Sequence, residues 1–357
     1  MKFVSKKTIA EIAPYKPGEG NIFDSEVIKL SSNENPFGCS PLAKAGYIKA
    51  AGYLNRYPEG GSSDLREAIA KKHEVSLNQI ICGNGSDEIF GLLISAFTSA
   101  GDDIIYSQHG FLMYKFYALA NGVNPISAPE INLRAHIENI LAKVTEKTKI
   151  VFIANPNNPT GTYLSKLELL ELRQKLPENI ILVIDGAYAE YVTNDDYEDG
   201  FGLVEKYSNI VATRTFSKIY GLASLRIGYC YADSDIIEVL NKVRGPFNVN
   251  LAAQMAALAA IEDEEFCEQS RVHNKKWLKI FNTEFANLGI QTIDSVANFF
   301  LIKISNDRQD KYLAFLDKHK LKIRKVVAYG LPEYLRITIG TAAENERLIQ
   351  LSKEFWL

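Results

Sequence analysis

The sequence has few of the residues that stabilise secreted or metal-dependent folds. Its 357 residues include 4 cysteines with no CxxC pair, and 5 histidines with no HxH or HExxH spacing. This scarcity argues against a disulfide scaffold and predicts no metal site. Isolated cysteines are typical of a reducing cytoplasm, where they act as small buried hydrophobes; these are Cys39, Cys82, Cys230 and Cys267.

Long apolar runs and an excess of one charge are also missing. No stretch reaches the roughly 18–20 apolar residues of a membrane span, and the first twenty residues contain no apolar core typical of a signal peptide. The formal net charge is −3, which favours neither nucleic acid nor an anionic membrane as a partner. The composition is that of a globular protein, and the length predicts about two domains.

The order of apolar and helical segments predicts an α/β fold. From about residue 62 to 250, short apolar strands alternate with helices, which favours a mostly parallel central sheet between helices. Beyond residue 250 we expect one long helix over 251–289, then three strands, NFFLIKI, LKIRKV and EYLRITI, in a smaller α+β domain. Two capping boxes, Ser165-x-x-Glu168 and Thr341-x-x-Glu344, predict helix starts.

These patterns divide the chain into three parts. We predict a large domain over residues 46–250 and a small domain over 251–357. Residues 1–45, rich in Pro, Gly and Asn, do not fit the alternating block. We expect them to form an arm that packs on the small domain or on a partner subunit.

The segment GNGSDE, residues 83–88, joins a predicted strand to a predicted helix. Glu88 stands where the dinucleotide-binding fingerprint G-x-G-x-x-G/A has its third small residue, which close packing of helix and strand requires. A nicotinamide site is therefore disfavoured. Gly85 and Ser86 still lead into a helix N-terminus, which suits a phosphate. The alternative is an ordinary capped turn.

Two further turns follow predicted strands. Asp185 ends an apolar strand and Tyr188 follows three residues later, at the sheet edge where α/β proteins bind ligands. A buried carboxylate there needs a partner, preferably a cation. In NPNNPTG, Asn158 can present its amide to a ligand. A strand-end helix cap and a plain turn are the structural alternatives.

The segment TFSK places a lysine among groups that bind anions. Lys218 follows Thr215 and Ser217 and precedes Arg226, which can hold a phosphate bidentately. A desolvated lysine near another cation becomes nucleophilic, although a solvated surface lysine is the simpler reading. A phosphate cradle, an amine for a Schiff base and an acid for a pyridinium nitrogen together fit pyridoxal phosphate.

The motif series resembles that of a known family. GNGSDE, NPNNPTG, DGAYAEY, TFSK and LRIGY are similar to those of the fold-type I pyridoxal-phosphate aminotransferases. The finer motifs IAPYKPG, LSSNENPFG, NRYPEGGSSDLREAIA and AYGLPEYLRITIGT resemble the histidinol-phosphate aminotransferase family. The resemblance runs from about residue 12 to 345, in order.

The resemblance implies roles for individual residues. Lys218 would bond covalently to the cofactor and act as general base and acid. Asp185 would pair with the pyridinium nitrogen, and Tyr188 and Asn158 would hydrogen-bond the ring O3′. The phosphate ligands would be Gly85, Ser86, Thr215, Ser217, Arg226 and, from a second subunit, Tyr57. Phe111 occupies the position of a usual tyrosine and would stack on the ring without the hydroxyl.

The same resemblance predicts the reaction and the assembly. Arg324 and Arg336 would bind the anionic ends of histidinol phosphate and glutamate, and Tyr15 would close over the substrate. A surface ion pair is the alternative for each arginine. We expect amino transfer between L-histidinol phosphate and 2-oxoglutarate by a ping-pong mechanism in histidine biosynthesis, carried out by a cytoplasmic homodimer with shared sites. The alternatives are an aromatic amino-acid aminotransferase, a decarboxylase of a phosphorylated amino acid, or a non-catalytic or nucleotide-binding module.

Overall fold

The protein is described from a computed structural model, which covers residues 6–14, 24 and 26–357. The strands are β1 Ile28–Lys29, β2 Ile80–Gly83, β3 Asp103–Ser107, β4 Asn124–Ala128, β5 Thr148–Ala154, β6 Ile181–Asp185, β7 Ile210–Thr215, β8 Gly228–Ala232, β9 Thr292–Ile293, β10 Phe299–Lys303, β11 Leu321–Lys322, β12 Arg324–Lys325 and β13 Tyr334–Thr338. The helices are α1 Pro41–Ala50, α2 Ser63–His73, α3 Ser86–Phe97, α4 Leu112–Asn121, α5 Ile137–Leu141, α6 Lys166–Lys175, α7 Phe201–Val204, α8 Ser234–Val243, α9 Leu251–Ile261, α10 Glu264–Asn287, α11 Asn306–Lys318 and α12 Ala342–Trp356.

The large sheet has seven strands in the order β2-β8-β7-β6-β5-β3-β4. Neighbouring strands run parallel except on the two sides of β8, which is antiparallel to β2 and β7. The sheet therefore confirms the predicted α/β fold with a mostly parallel centre.

Both faces of this sheet are buried. In β6, Leu182 and Ile184 belong to one apolar cluster, and Ile181 and Val183 to another on the opposite face. Side chains alternate between faces along a strand, so a strand covered on both sides is apolar along most of its length. That is the reason for the continuous run IILVI in the sequence.

The C-terminal part forms a second, antiparallel sheet in the order β12-β13-β10-β9. The predicted strand LKIRKV is two short strands, β11 and β12, and β11 leaves this sheet to pair in parallel with β1 near the start of the chain. The predicted division of the chain at residues 45 and 250 stays a prediction.

The prediction of one continuous helix over residues 251–289 is wrong. It is broken between α9 and α10, where Asp263 caps α10 by accepting a hydrogen bond from the Phe266 amide. An acidic side chain that binds the backbone of a new helix competes with continuing the old one. Both predicted capping boxes are confirmed, at Ser165 with Glu168 and at Thr341 with Glu344.

Within the described ranges, no helix has the length and apolar character needed to cross a bilayer. The same part of the chain contains no group of three or more His, Cys, Asp or Glu side chains arranged to hold a metal ion.

Candidate active site

The candidate site lies where three parallel strands end. Ala154 of β5 is in register with Asp185 of β6, which is in register with Thr213 of β7. The loops that follow these strands carry Asn158, Tyr188 and Lys218. Ligands of open α/β sheets bind at the carboxyl ends of the strands, and this is such an edge.

One cavity at this edge collects most of the predicted residues. Its lining includes nine of them: Ser86, Phe111, Asn158, Asp185, Tyr188, Thr215, Ser217, Lys218 and Arg226. Phe111 precedes α4, and its position beside the cavity is compatible with stacking on a flat ligand. These residues are separated by up to 140 positions in sequence, so only the fold brings them together.

Lys218 is a desolvated amine in this cavity. Burial and the positive charge of Arg336 lower the pKa of its ammonium group from 10.5 to about 8, against the opposing effect of Asp87 and Glu34. Its Nζ lies 5.5 Å from the ring centre of Tyr188. A lysine with such a pKa has a substantial neutral fraction near physiological pH and can act as a nucleophile or base.

Asp185 is a buried carboxylate without a cationic partner among the described residues. It accepts hydrogen bonds from the Tyr114 hydroxyl at 2.6 Å, the Thr213 hydroxyl at 3.2 Å and the Ala187 amide at 3.2 Å. Burial raises the pKa of Asp185 to about 6, although these bonds oppose the rise. A carboxylate held this way is ready to pair with a positively charged group on a ligand.

Tyr114 and Thr213 were not predicted from the sequence. Tyr114 is fully buried, lies on α4 and stacks on Phe152 with ring centres 4.7 Å apart, so its sequence pattern is that of a core residue. For Thr213 the sequence did contain a signal. It lies on β7 two residues before Thr215, and therefore on the same face of the strand as that predicted site residue.

The glycine turn and Arg226 form a cradle for an anion. The N-cap of α3 is Gly85, and Ser86 is the first helical residue. A Cβ on Gly85 would meet Nη2 of Arg226 at 2.5 Å, so the cradle depends on the missing side chain. Arg226 also donates to the Ser217 hydroxyl at 3.3 Å. The helix N-terminus and the guanidinium point to one negatively charged group.

Asp87 occupies part of this cradle. Its carboxylate pairs with Nη2 of Arg226 at 2.9 Å, and burial raises the pKa of that carboxyl. An unpaired acid at this position would repel a phosphate. The structure shows instead an acid bound to the arginine that an anion would contact.

Arg336 is a second buried guanidinium next to the cavity. It donates to Oδ1 of Asn158 and, at 2.9 Å, to the carbonyl oxygen of Ser31. Its Nε is buried without a hydrogen-bond partner among the described residues. Because the amide oxygen of Asn158 faces Arg336, the amide nitrogen is the group that remains for a ligand.

The other predicted residues lie outside this cavity. Arg324 lines a neighbouring groove, of about 330 Å3, together with Pro14, Met113 and Phe116. Tyr57 is 83% exposed and stacks on Phe247 at 4.6 Å. Tyr15 falls outside the described residues.

The geometry defines a ligand by its complementary groups. The cavity offers an anion cradle, a nucleophilic amine and a buried acid without a cationic partner among the described residues. These fit a flat molecule with an anionic tail, an electrophilic carbon and a basic ring nitrogen. Such a set is typical of enzymes that work through a covalently attached cofactor.

Comparisons with known proteins agree with this class. A family model described as aminotransferase class I and II matches residues 25–351. The sequence is 47% identical to a histidinol-phosphate aminotransferase of Rhodopseudomonas palustris (strain HaA2), over 99% of this chain and 98% of that one. It is 45% identical to a protein of the same name from Maricaulis maris, over 97% of each chain.

A solved structure gives the same result. A crystal structure of histidinol-phosphate aminotransferase from Sinorhizobium meliloti in complex with pyridoxal-5′-phosphate aligns with a TM-score of 0.86 at 26% identity, over 92% of this chain and 90% of that one. The chain belongs to the class I and II aminotransferases and, within them, to the histidinol-phosphate aminotransferase family.

Proposed function

We propose that the protein binds pyridoxal phosphate and transfers the amino group between L-histidinol phosphate and 2-oxoglutarate. The observation that carries the proposal is the convergence of Lys218, Asp185 and Arg226 on one cavity. Family membership supports the substrate, since the relatives at 45–47% identity carry the name of that activity.

The cavity residues fit the cofactor at each of its polar groups. Arg226, the hydroxyls of Thr215 and Ser217, and the α3 N-terminus at Gly85 and Ser86 would hold the phosphate. Asp185 would bind the protonated ring nitrogen, which supplies the cation that this carboxylate lacks. When bound, the cofactor supplies an aldehyde that takes up the amino group and a ring that accepts electrons.

Three side chains would orient the ring. Tyr188 and the amide nitrogen of Asn158 would hydrogen-bond its O3′ oxygen, and Phe111 would stack on its face. Phenylalanine provides the stacking surface but no hydroxyl, so Phe111 contributes orientation and exclusion of water only. The bond from Arg336 fixes the oxygen of the Asn158 amide, so the nitrogen would be the group that binds the ring.

Lys218 would bond to the cofactor aldehyde and then move protons. Its Nζ, with a pKa of about 8, can accept a proton from the substrate carbon and return it at another position. The charge of Arg336 helps to keep this amine neutral. Binding of an anionic substrate group to Arg336 offsets that charge, so substrate and amine are electrostatically linked.

Arg336 and Arg324 would bind the anionic ends of the substrates. The unpartnered Nε of Arg336 supports contact with a carboxylate, because a buried guanidinium donor without an acceptor is costly. Arg324 lies in the adjoining groove, where a phosphate at the far end of the substrate would reach it. The proposed closure by Tyr15 concerns a residue outside the described ranges.

The direct test is a spectral and kinetic comparison of Lys218→Ala with Lys242→Ala, a matched change at an exposed lysine of α8. We expect borohydride to fix the cofactor on the Lys218 peptide of the wild-type protein. Lys218→Ala should bind cofactor without a covalent bond and lose nearly all turnover, while Lys242→Ala behaves as the wild type. Turnover of phenylalanine but not of histidinol phosphate, or release of carbon dioxide, would contradict the proposed reaction.

We also propose a homodimer with shared sites. Support comes from an exposed apolar surface on residues 42–57, where Leu54 is 79% and Tyr57 83% exposed; its other large members are Leu42, Tyr47, Ile48 and Tyr53. Tyr57 is too exposed to serve the cavity of its own chain as a buried ligand. It would instead reach the phosphate site of the partner subunit.

Subunit mixing tests the shared site. In a hybrid of Lys218→Ala and Tyr57→Ala subunits, one of the two sites regains both wild-type residues if Tyr57 acts across the interface. Activity should then rise above the average of the parents on mixing. No rise, in a sample shown to contain hybrids, would place Tyr57 outside the partner's site.

We propose the division of the chain into an arm, a large domain and a small domain at residues 45 and 250, and a cytoplasmic location. The parallel pairing of β1 with β11 supports an arm that packs on the C-terminal part. The cysteines are all free thiols, which fits a reducing compartment.

A further inference from the structure

Asn33 connects the N-terminal segment to the proposed cofactor site. Its Nδ2 donates to the Tyr188 hydroxyl at 2.8 Å, and its side chain is 1% exposed. Its φ of 57° lies in the left-handed region, which Asn tolerates better than most residues. The backbone is held there by a bond from its N–H to the Thr338 hydroxyl at 2.9 Å and by one from Asn298 to its carbonyl oxygen at 3.0 Å.

The hydrogen bonds around Asn33 have a direction. The Thr338 hydroxyl oxygen accepts from the Asn33 backbone, and its proton is donated to Oδ1 of Asn33 at 3.0 Å. The amide oxygen therefore faces Thr338, and the amide nitrogen faces Tyr188. Since Nδ2 can only donate, the Tyr188 oxygen accepts, and its own proton points away from Asn33.

We propose that Asn33, oriented by Thr338, is a positioning residue that makes Tyr188 a hydrogen-bond donor to the cofactor. The inference rests on the proposed role of Tyr188 at the ring O3′. A bond donated to O3′ stabilises that oxygen in its ionised form. The network thereby lowers the proton affinity of the bound cofactor, although neither Asn33 nor Thr338 is among the residues that line the cavity.

Two substitutions at position 33 test whether the hydrogen bond is donated from Asn33 to Tyr188. Asn33→Asp keeps shape and tolerance of positive φ but replaces the donor by an acceptor, so Tyr188 turns its proton toward residue 33. Asn33→Gly removes the side chain without adding charge. We expect the pH midpoint of the cofactor's visible absorbance to rise in both, by about one unit in Asn33→Asp, the size of one charge-assisted hydrogen bond. Cofactor affinity, measured by equilibrium dialysis, should fall in parallel.

Asn132→Asp is the matched control. Asn132 also has positive φ, 52°, and is exposed, so the same chemical change there should leave the midpoint unchanged. The decisive comparison is in a Tyr188→Phe background. Without the hydroxyl, Asn33→Gly should cause no further shift; a shift of full size would overturn the proposal.

Thr338 provides a second route if the Asn33 variants do not fold. Thr338→Val removes the hydroxyl that orients the amide and should raise the midpoint, whereas Thr338→Ser keeps it and should restore the wild-type value. Equal midpoints for Val and Ser would refute the orienting role. If Tyr188→Phe itself does not shift the pH midpoint, the proposed role of Tyr188 at the cofactor is wrong. If Tyr188→Phe shifts the midpoint but the Asn33 variants do not, only the positioning role of Asn33 is wrong.

Discussion

The bond from Tyr114 to Asp185 allows a quantitative prediction. Tyr114→Phe removes one buried hydroxyl and leaves the ring stacked on Phe152, so packing is kept. The lost bond, at 2.6 Å, is the shortest of the three that Asp185 accepts. A hydrogen bond to a charged group contributes roughly 1.5–3 kcal/mol, which corresponds to about one to two pKa units. The pKa of Asp185, about 6 in the cofactor-free wild type, should therefore rise by that amount.

The measurement is an infrared titration of the cofactor-free protein, with Asp185→Asn subtracted to isolate the carboxyl band. The control is Tyr117→Phe, the same change on the same helix at a residue that makes no bond to Asp185. We expect the carboxyl midpoint to move only in Tyr114→Phe. If the midpoint is the same in Tyr114→Phe and wild type, the phenol does not stabilise the ionised form, and our account of how Asp185 is held is incorrect.

Three further outcomes follow from the site. The folded pKa of Lys218, about 8 against 10.5, means that the unfolded chain binds more protons between these values. The free energy of unfolding of the cofactor-free protein should therefore rise with pH in this range, by up to about 1.4 kcal/mol per pH unit. Lys218→Met should flatten this slope, as measured by urea unfolding at several pH values. Equal slopes in the variant and the wild type would contradict the prediction. Gly85→Ala places a Cβ against Arg226, at a residue whose φ of 80° and ψ of 163° favour glycine. Cofactor affinity should fall, and the free energy of unfolding should decrease by about 1–3 kcal/mol. Unchanged binding in titration calorimetry would refute the role of Gly85 and Arg226 as an anion cradle. Arg336→Lys keeps the charge but loses the forked donors, and kcat/KM should fall about 100-fold with an intact cofactor spectrum, whereas a normal kcat/KM would exclude Arg336 as a substrate ligand.

The strands of the large sheet were predictable because burial on both faces requires uninterrupted apolar runs, as in β6. The helix starts with a capping box were predictable because their signal is local. The break at Asp263 was missed because the whole segment 251–289 was interpreted as one helix, although the Asp263 cap that starts α10 is a local signal. β4 was missed as well, since the segment NPISA contains a proline and alternates weakly.

The candidate site was predictable to the extent that each residue follows a strand or a glycine turn. Lys218, Asp185 and Arg226 have such positions, and the cavity unites them. Tyr114 and Asn33 have no such signal, because each acts through one hydrogen bond to a residue 71 or 155 positions away. Arg324 and Arg336 looked equivalent on two late strands. In the structure Arg336 bonds the cavity residue Asn158, whereas Arg324 lines the adjoining groove.

The pairing of Asn33 with Thr338 spans 305 positions, nearly the full length of the chain. During synthesis, the first of these residues leaves the ribosome long before the second has been added. The large sheet can assemble in that interval, but the orientation of Tyr188 must wait until the last strand, β13, has emerged. A nascent chain that lacks β13 would therefore hold a formed sheet and an incompletely organised pocket.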